Sequence, residues 1–218
     1  MKRLFIILIS LSFLVSCQHT KEEERKSITL DHTLLLMPPI GNDKEDYLKT
    51  LGVDCWSELN LRTNGGAVYA SNIRALKESL NNDNLTVDGR IDKAELISIA
   101  STLKCGSAIS IQVIKRESLP PQRLVLRLDW LNVNGDQKKT KVYDLNLESP
   151  YERERFKEYI RYNEDAKHIL DRWRNRGNKF DIETAWLSPS IFNKYVAYRT
   201  INDFVTAPEP ELKTASGK

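Results

Sequence analysis

Three thiols, three imidazoles and a scatter of carboxylates are the side chains of this 218-residue chain that could do chemistry. Cys17 has the most telling setting. It closes Leu14-Val15-Ser16-Cys17, behind a cationic start, Met1-Lys2-Arg3, and an apolar run from Leu4 to Val15 broken only by Ser10 and Ser12. A thiol is the one side chain in that stretch able to act as a soft nucleophile and carry a thioether-linked group. Cys55 and Cys105 then remain as a pair. In an oxidising compartment they could form a disulfide closing a loop of about 50 residues, stabilising by roughly 4 kcal/mol in the chain-entropy model. The alternative is two buried, inert free thiols. His19, His32 and His168 lack a second His or Cys at ligand spacing, so a zinc site has no support. Cys55 and Cys105 lack the CxxC spacing of a redox or metal pair. There is no Gly-x-Ser-x-Gly elbow and no phosphate-cradling glycine loop, so no cofactor is implied. Asp43, Asp46 and Glu58 are carboxylates that a glycan or peptide hydrolase could use, provided the fold gathers them into one concave site.

The first 16 residues are too short an apolar stretch to span a bilayer, which needs about 20. They read as an export signal. Leu14-Val15-Ser16-Cys17 resembles a bacterial lipobox, in which the Cys is acylated and becomes the first residue of the mature protein. The resemblance implies lipidation at Cys17 and a site of action in the cell envelope. Gln18 rather than Asp after the Cys implies the outer membrane, facing the periplasm. The polar stretch 18–29 cannot bury itself and reads as a tether. Fully extended it reaches roughly 40 Å at about 3.5 Å per residue.

Lys2 and Arg3 leave with the signal, so 31 of the 33 basic residues face 30 acidic ones. That balance excludes a nucleic-acid footprint. With 29% charged and 40% apolar residues, the remainder can form one folded body.

The elements that position these side chains read as follows. Thr33 to Met37, stopped by Pro38-Pro39, is a strand buried on both faces. Residues 41–66 read as irregular, with helix inside 45–59. Tyr69, Ile73, Leu76 and Leu80 recur at helical spacing, predicting a helix over 69–81. Leu85-Thr86-Val87 is a short strand before an Asp88-Gly89 turn. Asp92 and Glu95 form a capping pattern for a helix whose apolar face is Leu96, Ile99, Ala100 and Leu103, with Gly106 suited to a left-handed cap. Ser107 to Ile114, Leu124 to Trp130 and Tyr143 to Leu147 alternate as strands, the last two joined by an Asn134-Gly135 hairpin. Ser149-Pro150-Tyr151-Glu152 starts one helix that runs through Trp173 and ends before Gly177. Ser188-Pro189 starts another. Trp186, Phe192, Tyr195, Tyr198 and Phe204 are expected to cover the core, with a partner patch as the alternative. Residues 207–218 read as a frayed, disordered tail.

The expected fold is therefore α+β: a mixed sheet ending in an antiparallel meander, helices packed on it, and a C-terminal helical segment. The domain plan is signal 1–16, lipidated Cys and tether 17–29, α+β domain 30–148, helical extension 149–206 and tail 207–218. Within 30–148, Leu34-Leu35-Leu36-Met37-Pro38-Pro39 and the helix–turn–strand from Leu96 to Ile111 resemble the small periplasmic domains of the TolB N-terminal region, the penicillin-binding-protein activator LpoB and the curli-secretion lipoprotein CsgG. The likeness is one of architecture and maps no functional residue. It implies a non-enzymatic protein that docks to, or assembles with, envelope partners. A hydrolase using the loop carboxylates and a solute-binding module are the alternatives. Arg172, Trp173, Arg174 and Arg176 form the least neutralised cluster of the charged helix. They are the candidate surface for anionic headgroups or an acidic partner.

Overall fold

The computed structural model describes residues 32–76, 86–87, 90–175 and 181–206. The strands are β1 (Leu34–Leu36), β2 (Ile40–Gly41), β3 (Ala67–Tyr69), β4 (Thr86–Val87), β5 (Arg90–Ile91), β6 (Ser107–Glu117), β7 (Arg123–Asn132) and β8 (Gln137–Asn146). The helices are α1 (Glu45–Arg62), α2 (Lys93–Thr102), α3 (Pro150–Tyr162), α4 (Glu164–Asn175) and α5 (Pro189–Thr206). The main sheet runs β3-β1-β6-β7-β8, and β2 extends the pairing along β6. β1 lies parallel to both β3 and β6, whereas β6, β7 and β8 form an antiparallel meander. The α+β expectation with a mixed sheet is what the structure has.

Side-chain alternation sorts the strand residues into two cores. Leu34 and Leu36 join Ile109, Ile111, Leu124, Leu126 and Leu128 in the larger one, which α1, α3, α4 and α5 close. Leu35 and Met37 point the other way, into a smaller core with Ala108, Leu131 and the α2 residues Leu96, Ile99 and Ala100. A strand buried on both faces reads as a continuous apolar run, which is why β1 carries three leucines in a row. The smaller core covers only one end of the meander, so on that face Ile114 and Val142 are exposed.

The C-terminal segment is structurally continuous with the sheet domain. Phe156, Ile160, Leu170, Phe192, Tyr195 and Phe204 sit in the same buried cluster as the β6–β8 side chains. Phe192, Tyr195 and Phe204 are core residues, with Trp186 and Tyr198 packed at the edge of that cluster.

Four local expectations are corrected. First, the helix expected inside 45–59 is there but fills Glu45–Arg62, 18 residues, so most of the 41–66 region is regular. Second, the helix expected over 69–81 is absent as far as Leu76. Tyr69 ends strand β3, paired with Leu36, and two 3₁₀ turns follow at Ala70–Asn72 and Arg74–Leu76. Residues 77–81 lie outside the described residues. Pairing at the sheet edge takes Tyr69, and the remaining three-residue spacing fits a 3₁₀ turn as well as it fits an α-helix. Third, the single helix expected from 150 to 176 is two. Asn163 is extended (φ −103°, ψ 116°), and its side-chain oxygen accepts from Ala166 N at 3.0 Å, starting α4. Fourth, Lys104 rather than Gly106 takes the left-handed position after α2, at φ +56°. Gly106 is needed for close approach instead, because a Cβ there would lie 2.2 Å from the His32 ring.

Two start signals hold only in part. Asp92 caps α2 by accepting from Ala94 N. Ser149 precedes α3 without a side-chain cap bond, and Glu152 turns inward to accept the Tyr195 hydroxyl.

Edge strand β8 is protected by its own sequence. Lys139 turns inward and donates to Phe204 O at 2.8 Å, placing a cation on the carbonyl end of α5. An inward-facing lysine on an edge strand discourages pairing with another chain.

Gly52 gives a direct check on how closely α1 packs. A Cβ there would lie 2.1 Å from the Tyr69 hydroxyl oxygen and 2.7 Å from Pro39 Cδ. Alanine is the better helix former by about 1 kcal/mol. Even so, Gly52→Ala is expected to destabilise by about 1–3 kcal/mol through overpacking. Thermal denaturation would show a lowered midpoint.

Candidate docking surfaces and the polar seam

Cys17, His19 and Arg176 lie outside the described residues. The pairing of Cys55 with Cys105 is corrected: both thiols are free and buried. Cys55 belongs to the larger core and Cys105 to the smaller one, on opposite faces of the sheet. Burial, helped by the neighbouring Asp54 and Glu58 charges, pushes the Cys55 thiol well above its usual range. Burial alone raises that of Cys105. Both are in their inert, protonated form at neutral pH.

The three carboxylates considered for hydrolysis are not brought together. Asp43 accepts from Arg116 Nη1 at 2.8 Å. Asp46 is exposed in the first turn of α1. Glu58 lies three turns further on, buried against Arg62. Among the described residues no group of three or more His, Cys, Asp or Glu is placed to hold a metal. His32 Nε2 sits 3.0 Å from Ser107 Oγ, and His168 is exposed on α4.

What sequence reasoning missed is a polar seam between α1, α3 and α5. Asp54, Glu58 and Arg62 recur at i, i+4, i+8 on one face of α1. Lys194 Nζ reaches Asp54 at 3.3 Å, and Arg62 Nε donates to Glu58 at 2.8 Å. The Arg62 guanidinium lies over the Tyr198 ring, 5.6 Å from its centroid. Tyr198 meets Tyr159 with the rings tilted by 40°, and Tyr159 in turn meets Tyr195. Burial raises the Asp54 pKa against the opposing pull of Lys194. The two carboxylates and two cations neutralise one another, so the seam locks helices and offers no free group for catalysis. The four-residue spacing of charges on α1, set beside Leu51, Cys55 and Leu59, was the available signal.

The basic end of α4 has Arg172 and Arg174 exposed, with Arg174 Nη1 3.7 Å from Asp171. Trp173 belongs to the same helix. A groove of about 290 Å³ lies beside it, floored by Ile160, Leu170 and Ile182 and rimmed by Arg161, Lys167 and Arg174. Lys167 is paired with Glu164. Mixed sign continues along this face, as on an ordinary solvated helix.

The far end of β6 is built differently. Parallel pairing of β2 with β6 brings Asn42 and Asp43 alongside Val113, and Val113/Lys115 flank an irregularity in the β6–β7 register. A bulge at a strand end re-aims side chains. Here it borders a pocket of about 270 Å³ lined by Asn42, Asp43, Ile114, Lys115, Arg116 and Ser118. Arg116 stacks on Tyr47, 3.6 Å from the ring centroid. Burial pushes the Tyr47 phenol well above its usual range despite that cation.

In the middle of edge strand β8, Lys141 donates to Asp203 across the β8–α5 contact. Burial pushes the Asp203 carboxyl up, but the Lys141 ammonium that donates to it, with the Tyr143 hydroxyl and Arg199 nearby, outweighs burial and holds the pKa below the usual value. A depressed acid stabilises the fold at pH values above its unfolded pKa, about 3.9, and loses that contribution as pH falls through the folded value. Asp203→Asn is therefore expected to flatten the acid limb of thermal stability below about pH 4. The check is the melting midpoint of both chains from pH 6 to pH 2.5.

No helix among the described residues is long and apolar enough to cross a membrane. No family model matches the sequence, and no curated protein matches it. Among solved structures, the chain is similar to the PelC dodecamer from Paraburkholderia phytofirmans, with a TM-score of 0.38 and 10% identity over 55% of this chain and 75% of that one. It is also similar to lipoprotein GNA1162 from Neisseria meningitidis, with a TM-score of 0.37 and 9% identity over 68% of this chain and 99% of that one.

Proposed function

We propose that this chain is a non-enzymatic lipoprotein of the bacterial cell envelope. It is anchored by acylation of Cys17, in the outer membrane facing the periplasm, and its α+β body docks to or assembles with another envelope protein. The observation that carries this reading is the order of charge, apolar run, small residue and Cys over residues 1–17. A polar tether follows at once, and then a body with a closed core. The dispersal of Asp43, Asp46 and Glu58 into three unrelated settings supports docking over hydrolysis. Fold by itself does not decide between them.

The test is Cys17→Ser in the producing cell. The variant is expected to fold normally, because the acylated residue precedes the body, and to leave the membrane fraction entirely. Retention of the variant in that fraction, at wild-type level, would refute the anchor.

A further inference from the structure

We infer that the outer ridge of α1 is a pairing surface for a second copy of this chain, with the two helices antiparallel about a two-fold axis at Ser57. The inference rests on the docking reading above and names the partner as the chain itself.

The polarity of α1 is inverted beyond Lys49. The charged residues of that stretch are Asp54, Glu58 and Arg62, and all three turn toward the seam. Glu58 and Arg62 are buried against each other, and Asp54 holds Lys194. The exposed positions of the same stretch are Thr50, Val53, Ser57 and Leu61, none of them charged. Val53 is 48% exposed and Leu61 54%. At about 100° per residue the four form one stripe, opposite Leu51, Cys55 and Leu59 in the larger core. Other outward helix faces are charged as usual, with Glu154, Glu158 and Arg161 on α3 and Asp165, Asp171 and Arg172 on α4. The open sheet face at Ile114 and Val142 also differs, because the ion pairs Arg123–Asp144 and Arg127–Asp129 stand on it, as on a solvated sheet.

The stripe is palindromic, and this selects the occupant. Val53 and Leu61 stand four residues to either side of Ser57. A two-fold antiparallel crossing at Ser57 therefore sets Val53 on the partner's Leu61, and Leu61 on the partner's Val53. The small serine at the crossing lets the two backbones approach. Asp46 lies on the same side of the helix, but its counterpart position, 68, is past the end of the partner's α1. No like charges meet along the paired stretch, and a charged segment would find no counter-ion there. One ridge is small beside the roughly 20–30 residues a side of a stable interface. The pair is therefore weak, and it forms where anchoring concentrates the chains on one surface.

The experiment oxidises Ser57→Cys in membranes of the producing cell and looks for a covalent dimer. A disulfide needs the two Cα atoms within roughly 7 Å, so it reports a crossing at this residue. Arg172→Cys, exposed on α4, is the comparison, and is expected to give at least about tenfold less dimer. In a second measurement, the purified chain is followed by sedimentation at rising concentration. The wild type is expected to pair equally at about 50 and about 500 mM salt, because the ridge is uncharged. Ser57→Lys is expected to weaken pairing by at least about tenfold without lowering the melting temperature. Cross-linking of Ser57→Cys no greater than that of Arg172→Cys would overturn the inference. So would a cross-link of Ser57→Cys to a different protein in place of its own copy, or pairing that Ser57→Lys leaves unchanged. Fatty-acid attachment at Cys17 is measured on the same chains. Acylated chains that do not pair fail the ridge alone, and unacylated chains that pair in concentrated solution fail the anchor alone.

Discussion

Glu58→Ala is expected to destabilise the folded chain by about 3–5 kcal/mol, a large fraction of the stability of a body this size. The reason is the neighbour that Glu58 leaves behind. Arg62 is 2% exposed, and its Nε donates to the Glu58 carboxylate, itself 8% exposed. The Tyr198 ring face, 5.6 Å from the guanidinium carbon, is a weak substitute for a carboxylate at 2.8 Å. Removing Glu58 therefore strands a buried cation between α1 and α5. The companion variant separates this account from a simple packing loss. Replacing both members, as in Glu58→Leu with Arg62→Met, removes the charge along with its partner and is expected to recover most of the stability. Denaturant titration of the wild type, the single variant and the double variant checks both statements. A double variant as unstable as Glu58→Ala would show that the seam matters by shape and not by charge.

Phe156→Ala is expected to cost about 3–5 kcal/mol as well, by a different route. Phe156 is fully buried on α3 and meets Tyr195 of α5 edge to face, with ring centroids 5.2 Å apart. The same cluster holds the meander residues Leu124, Leu126, Tyr143 and Leu145. A cavity at Phe156 therefore weakens the helices and the sheet together. The variant is expected to melt in one transition at a lower temperature. Two separate transitions, with the sheet unaffected, would show that 149–206 behaves as an independent extension.

Much of this architecture was legible in the residues because one physical signal dominated each element. Ile109, Ile111 and Val113 alternate against Ser110 and Gln112, and β6 needs nothing more. Asn134-Gly135 marks the β7–β8 turn, with Gly135 at φ +90°. Leu34-Leu35-Leu36, short and stopped by Pro38-Pro39, read as a strand between two cores. The misses share a cause, which is that tertiary contacts set the local structure. α1 buries Gly52, Glu58 and Arg62 along with Leu51, Cys55 and Leu59. Its inward face is therefore part charged, and an apolar stripe does not stand out. Asn163-Glu164-Asp165 carries a helix-start pattern inside a continuous amphipathic run, and the run masked it. Cys55 and Cys105 looked like a pair by elimination, but the sheet lies between them. The pocket at the far end of β6 was not legible either, because Lys115 and Arg116 are unremarkable in sequence. Only the β2–β6 pairing and the register irregularity near Ile114 bring Asn42, Asp43 and Tyr47 beside them.

The measurement that bears most directly on this account is metabolic labelling of the producing cells with an alkyne-tagged fatty acid, followed by isolation of the chain. The account predicts label on the wild type and none on Cys17→Ser. An unlabelled wild type, or a Cys17→Ser chain labelled to the same extent, would contradict it.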